Sequence, residues 1–247
     1  MITSIRTERL VVISDMHLGN PFSKSHRKIA AFLRWAAREN YDVVINGDGL
    51  EIAQASFRKL ADQLPEIIRV FRELKLQGRN IYYIVGNHDI ALEHFLEDWG
   101  LLSVSPFLNV EAGTNRIRIE HGHLYDPFFV RSPRLYEILT HFGGFLLKVH
   151  PSFYRMWIGF ERFKARLRAR KTGILGELPQ FAEAAHELAR RGFDAVVFGH
   201  THHKGEVVLP NGKRYLNPGS WLISSHFVAI EGNTLELRSW PEEVTSA

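Results

Sequence analysis

The sequence contains no cysteine. Disulfides and thiolate metal sites are therefore excluded, and any metal centre has to be built from imidazole, carboxylate and amide donors. No apolar stretch approaches the roughly 18 residues that a membrane-spanning helix needs. The opening "MITSIRTERLVVISD" places charges before a short apolar run and Asp15 directly after it, which reads as a first strand and not as a signal peptide. Internal repeats and low-complexity linkers are also missing. The lack of cysteine fits a cytoplasmic location.

The 247 residues are 45% hydrophobic and 23% charged, an ordinary globular composition. One domain over residues 1–247 is expected. The formal charge of +4 is unevenly spread, with ten lysines and arginines between Arg131 and Lys171 against only Glu137 and Glu161. A basic segment of this kind suits a local anionic partner: a phosphorylated substrate, a membrane surface or nucleic acid. A solvated helix face would look the same by composition.

Short β-rich runs alternate with helical patterns. "RLVVIS" (9–14) precedes "SHRKIAAFLRWAAREN" (25–40), where Ile29, Phe32, Leu33 and Ala36 recur at helical spacing. "YDVVIN" (41–46) precedes a helical stretch near 56–77 that Pro65 should break or restart. "NIYYIV" (80–85) is a third strand. The alternation predicts parallel strands joined by crossover helices. "RIRIE" (116–120) alternates like a strand, and "LPQFAEAAHELARRG" (178–192) reads as a helix leading into "FDAVVF" (193–198). "GEVVL", "HFVAI" and "TLELRSW" read as antiparallel strands closing the chain. Residues 125–175, aromatic, basic and poor in strand signals, look like a helical cap inserted within the domain.

Five polar pieces stand where these runs end: "SDMHLGN" (14–20), "NGDGLE" (46–51), "VGNHD" (85–89), "EHGHLYD" (120–126) and "FGHTHHKG" (198–205). In open α/β sheets, sites form at the carboxyl ends of strands. Residues two apart in extended chain project the same way, so Asp15 with His17, and His200 with His202, can each converge on one centre. One such piece is common by chance. Five in order, each behind an apolar run, point to a shared metal site.

In order and identity, the pieces D-x-H, G-D, G-N-H-D, H-G and G-H-x-H resemble the calcineurin-like metallophosphoesterase superfamily, and they span residues 15–202. The resemblance implies an α/β fold, a four-layer α-β-β-α sandwich, with two metals at the strand ends. Carried over, Asp15, His17, Asp48 and His202 would hold one metal, and Asp48, Asn87, His121 and His200 the other, with Asp48 bridging. Such donors suit manganese, iron, zinc or magnesium without choosing among them, and two divalent ions, manganese first, are the expectation. With two aspartates against two dications the centre keeps positive charge and favours an anionic phosphate. The expected reaction is phosphoester hydrolysis, with a metal-bridging hydroxide attacking phosphorus. His88 would donate a proton to the leaving oxygen or stabilise its charge, and Asp89 would orient its ring. Asn20 and Arg131 would touch the phosphate. His203 is read as a loop residue and His123 as a bystander at the rim. "NPGS" (217–220) is either a plain turn or a support for the site.

Within that superfamily the chain looks most like the UDP-2,3-diacylglucosamine diphosphatases. The shared features are "SDMHLGN", "GNHD", similar size and the insertion between His121 and His200. The resemblance implies cleavage of the pyrophosphate of a UDP-linked acylated sugar. It also implies a cap contacting acyl chains and resting peripherally on the inner face of the membrane. Two departures stand out: that family carries arginine where this chain has His88, and an acidic residue where it has His123. A phosphodiesterase or nuclease acting on nucleotides or nucleic acid is the competing enzyme reading. A non-catalytic scaffold is the third, although such scaffolds lose ligands and none is missing here. The sequence leaves the oligomeric state open.

Overall fold

A computed structural model describes residues 2–20, 26–52, 57–136, 138, 139, 159, 163, 178–209 and 212–241. Most of the expected cap, and most of its basic residues, lie outside that set. Two six-stranded sheets dominate. The first has the order β12-β11-β2-β3-β4-β5, with β2 at Arg9–Ile13, β3 at Asp42–Asn46, β4 at Ile81–Ile84, β5 at Ser103–Ser105, β11 at His226–Glu231 and β12 at Thr234–Ser239. The second has the order β1-β6-β7-β8-β10-β9, with β1 at Ser4–Arg6, β6 at Leu108–Ala112, β7 at Asn115–Ile119, β8 at Ala195–Val197, β9 at Gly205–Val208 and β10 at Arg214–Asn217.

Alternation along the strands builds the layers. In β2, Leu10 and Val12 face the core between the sheets, whereas Val11 and Ile13 face the helices α1 (His26–Arg38) and α2 (Phe57–Leu76). Both faces are buried, so the strand reads as an unbroken apolar run. β3 and β4 repeat the arrangement, with Val44 and Ile84 between the sheets and Val43 and Ile81 beneath the helices. On the far side, Val196 and Tyr215 pack with Phe181, Ala185 and Leu188 of α4 (Pro179–Arg190). Helices, sheet, sheet and helix make the expected four layers. A short helix, α3 (Pro127–Arg131), opens the insertion, and the Asp126 side chain caps it by accepting from the Phe128 amide at 2.8 Å.

One expectation fails. Pro65 neither breaks nor restarts α2, which runs through it. The missing amide forfeits one helical hydrogen bond. Beyond the proline, Ile67, Val70, Phe71 and Leu74 pack into the same core as α1 and hold the helix on course.

β2, β3 and β4 run parallel in one sheet, and β7 and β8 run parallel in the other. Their carboxyl ends carry the five polar pieces.

Candidate metal centre

Each strand delivers its polar residues by leaving extended geometry abruptly. Among the described residues, six non-glycine positions have positive φ, and five are expected ligands: Asp15 (55°), His17 (47°), Asp48 (50°), His200 (63°) and His202 (59°). Left-handed backbone at such residues costs on the order of 1–3 kcal/mol each and persists where the surroundings over-determine it. Here the turns lock onto one another. The amides of Asp15, His17 and Leu18 donate to the carbonyls of Gly47, Asp48 and Gly49 at 2.9–3.1 Å. Close approach needs glycine at Gly86, where a Cβ would stand 2.2 Å from Asp48 Oδ1.

The seven expected ligands come together. His202 Nε2 is 3.0 Å from Asp15 Oδ1 and 3.4 Å from His17 Nε2. His121 Nε2 is 3.3 Å from Asp48 Oδ2 and 3.2 Å from Asn87 Oδ1, and His200 Nδ1 is 2.8 Å from that same amide oxygen. His17 Nε2 stands 4.0 Å from Asp48 Oδ2, which places Asp48 between the two groups. Three sets of donor atoms lie within 4.8 Å of one another: Asp15, His17 and His202; Asp15, Asp48 and His121; and His17, Asp48 and His88.

The electrostatics fit divalent cations. Asp15 and Asp48 are fully buried. Burial opposes charge on Asp48, but His121 and His88 hold its carboxyl well below the usual range. Burial likewise opposes a proton on His121, yet Asp48 raises it to about 10. Without cations, protons on histidine balance the carboxylates. Asp15 Oδ1 accepts no hydrogen bond although His202 Nε2 is 3.0 Å away. Carboxylate and ring are misaligned for each other, as they would be if both faced a common point. The donor set of oxygen and imidazole completes the fit.

The residues around the ligands depart from expectation. Asp89 does not orient His88. Its carboxylate is consumed locally, accepting from the Gly86 amide at 2.6 Å and from the Tyr83 hydroxyl. Burial and Asp48 raise it to about 6. Glu51 is the carboxylate on the His88 ring, at 2.7 Å from Nδ1. Burial opposes its charge, but the hydrogen bonds to His17 and His88 lower Glu51 to about 2. A further carboxylate, Asp126, meets His200 Nε2 at 3.1 Å. The centre is therefore more anionic than a count of two aspartates suggests. Both extra groups stand inside the strand-end pieces, three positions after Asp48 and five after His121, and a carboxylate so close to a ligand was the available signal.

Asn20 is buried beside the site with its amide nitrogen 3.5 Å from Glu51 Oε2. Arg131 lies apart from the ligands, lining a shallow groove between α3 and α4 with Val130, Glu187 and Arg190. His123 is buried, with neither ring nitrogen hydrogen-bonded. Burial, then His121 and His200, lower it to about 3. His203 belongs to the loop, its amide donating to Thr201 at 3.4 Å. The "NPGS" turn braces the site: Asn217 donates to the Gly199 carbonyl at 3.1 Å, and Ser220 to that of Asp15 at 3.1 Å.

Comparison with known families returns the calcineurin-like phosphoesterase profile, matched over residues 8–204. The chain belongs to the calcineurin-like phosphoesterases. This phosphoesterase is metal-dependent, as its family is. It is similar to a UDP-2,3-diacylglucosamine hydrolase of Porphyromonas gingivalis, 25% identical over 264 aligned positions that cover 94% of this chain and 97% of that one. Among solved structures, a dimetal phosphatase from Danio rerio shares the fold, with a TM-score of 0.50, 11% identity and coverage of 94% and 95%. The chain is also similar to vacuolar protein sorting 29 from Cryptosporidium parvum, with a TM-score of 0.47, 16% identity and coverage of 96% and 94%. Among the described residues, no helix is long and apolar enough to cross a membrane.

Proposed function

We propose that this phosphoesterase uses two divalent cations to hydrolyse the pyrophosphate of a UDP-linked acylated sugar. The observation that carries the reading is the convergence of seven donor side chains from five strand ends into two adjoining groups, with Asp48 between them. Asp15, His17, Asp48 and His202 would hold one cation, and Asp48, Asn87, His121 and His200 the other. Manganese is the first choice for both. When bound, the pair supplies Lewis acidity, acidifying water and neutralising charge on the phosphoryl oxygens.

The chain's own residues do the rest. His88 is not counted among the seven ligands; without cations, burial opposes its charge, but Asp48 and Glu51 raise the ring to about 9. It is the group that protonates the leaving oxygen. Glu51 fixes the ring, and Asn20 reaches the same Glu51 carboxylate with its amide nitrogen.

The substrate class rests on the Porphyromonas relative, matched nearly end to end. Exposed Leu124, Val130, Leu135, Ile138 and Leu139 near the start of the insertion, and Phe163 further along it, suit acyl chains or a lipid surface. The test is a screen of manganese-loaded protein against phosphomonoesters, diesters, nucleotides, nucleic acid and UDP-linked glycolipids. UMP release from the glycolipid is expected to dominate. Turnover confined to nucleic acid or nucleotides would replace this substrate with the nuclease reading.

A further inference from the structure

Two ligands of the second cation share an ambiguity that the strand-end turns do not resolve. An asparagine amide presents either its oxygen or its NH₂ to a cation, and only the oxygen can bind. An imidazole presents either nitrogen, and only one without a proton can bind. At Asn87, Oδ1 faces His121 Nε2 at 3.2 Å and His200 Nδ1 at 2.8 Å, while Nδ2 turns outward and donates to the Tyr136 hydroxyl at 3.1 Å. At His200, Nδ1 faces inward and Nε2 meets Asp126 Oδ2 at 3.1 Å. Both outer partners come from one short stretch of chain, the root of the insertion. Phe129 stacks edge-on against Tyr136 at 5.2 Å and against His123 at 5.1 Å, so the stretch packs as one piece over the centre.

We infer that Asp126 and Tyr136 are positioning residues, a two-point clamp by which the root of the insertion sets the donor atoms of Asn87 and His200 for the second cation. The inference rests on the two-cation reading above. Tyr136 accepts the amide N–H and so disfavours the flipped amide, which would aim NH₂ at a cation. Asp126 accepts the Nε2 proton and leaves the Nδ1 lone pair for the metal. Neither touches the ligands of the first cation, Asp15, His17 or His202, through any described hydrogen bond. The clamp therefore acts on one metal of the pair.

The test is titration of the metal-free full-length chain with Mn²⁺, followed by calorimetry and by electron paramagnetic resonance. Wild type should bind two ions and develop the signal of a spin-coupled pair. Tyr136→Phe keeps the ring packing and removes only the hydroxyl. It should weaken the second ion by about 10–100-fold, as loss of an outer partner does, leave the first unchanged, and show a mononuclear spectrum at intermediate loading. Asp126→Asn, which retains a single oxygen acceptor, should shift the same phase. Melting of the metal-free Tyr136→Phe protein should match wild type. Unchanged affinity for both ions in Tyr136→Phe would overturn the clamp. So would equal weakening of both ions with a lowered metal-free Tm, which marks general loosening. A wild-type chain binding fewer than two ions would instead overturn the two-cation reading itself.

Discussion

Glu51 Oε1 lies 2.7 Å from Nδ1 of His88, and the other oxygen of the same buried carboxylate lies 2.9 Å from Nδ1 of His17. One side chain thus aims a ligand and the proposed proton donor, turning both Nε2 atoms away from itself. Glutamine offers a single oxygen acceptor and can serve only one ring. Glu51→Gln is expected to lower kcat by about 10–100-fold while the protein stays folded, as loss of a partner to an active imidazole does. Steady-state kinetics with circular dichroism check it. Full turnover in the variant would remove Glu51 from the account.

His88→Ala separates proton donation from metal binding. For a substrate with a poor leaving group, kcat should fall by about 10²–10⁴-fold, the usual contribution of a general acid. For an aryl ester whose leaving group needs no proton the loss should be far smaller. Both ions should be retained. Equal losses on both substrates would show that the ring does something other than protonate.

The raised histidines set a pH dependence with a definite sign. Burial opposes charge on His121, but Asp48 lifts it from 6.5 to about 10. The stability this proton brings to the metal-free fold is complete below pH 6.5 and is lost as pH climbs through about 10. A cation must displace that proton, so affinity rises with pH over the same window. The Tm of the metal-free protein should therefore fall between pH 6.5 and 9, while the increment added by Mg²⁺ or Mn²⁺ grows. Calorimetry in buffers of different ionisation heat should register proton release on binding. A metal increment that shrinks as pH rises would contradict this.

Gly86→Ala tests the close packing of the turns. The added Cβ would sit 2.2 Å from Asp48 Oδ1 and 2.5 Å from its amide nitrogen, backbone that cannot swing aside. Destabilisation of about 2 kcal/mol or more is expected in urea unfolding, with loss of metal uptake. A variant within about 0.5 kcal/mol of wild type, the range of an ordinary surface change, would show that the turns yield.

Much of this was legible in the sequence because burial on both faces writes β2, β3 and β4 as continuous apolar runs ending in polar pieces. β1 and β5 were not, since three residues are too few to show a period. The "LNVEA" of β6 is too mixed to stand out. The ligand residues were visible as motifs. Which ligand each partner serves was not, because Asp126 and Tyr136 meet His200 and Asn87 only through the fold, across 74 and 49 positions. Asp89 stands next to His88 in sequence, but the Gly86–Asp89 turn claims its carboxylate and Glu51 meets the His88 ring instead.

The central claim is tested most directly by anomalous diffraction from manganese-loaded crystals of the full chain. Two peaks are expected, one among Asp15, His17, Asp48 and His202, the other among Asp48, Asn87, His121 and His200. A single peak, or peaks elsewhere with Asp48 touching neither, would contradict it.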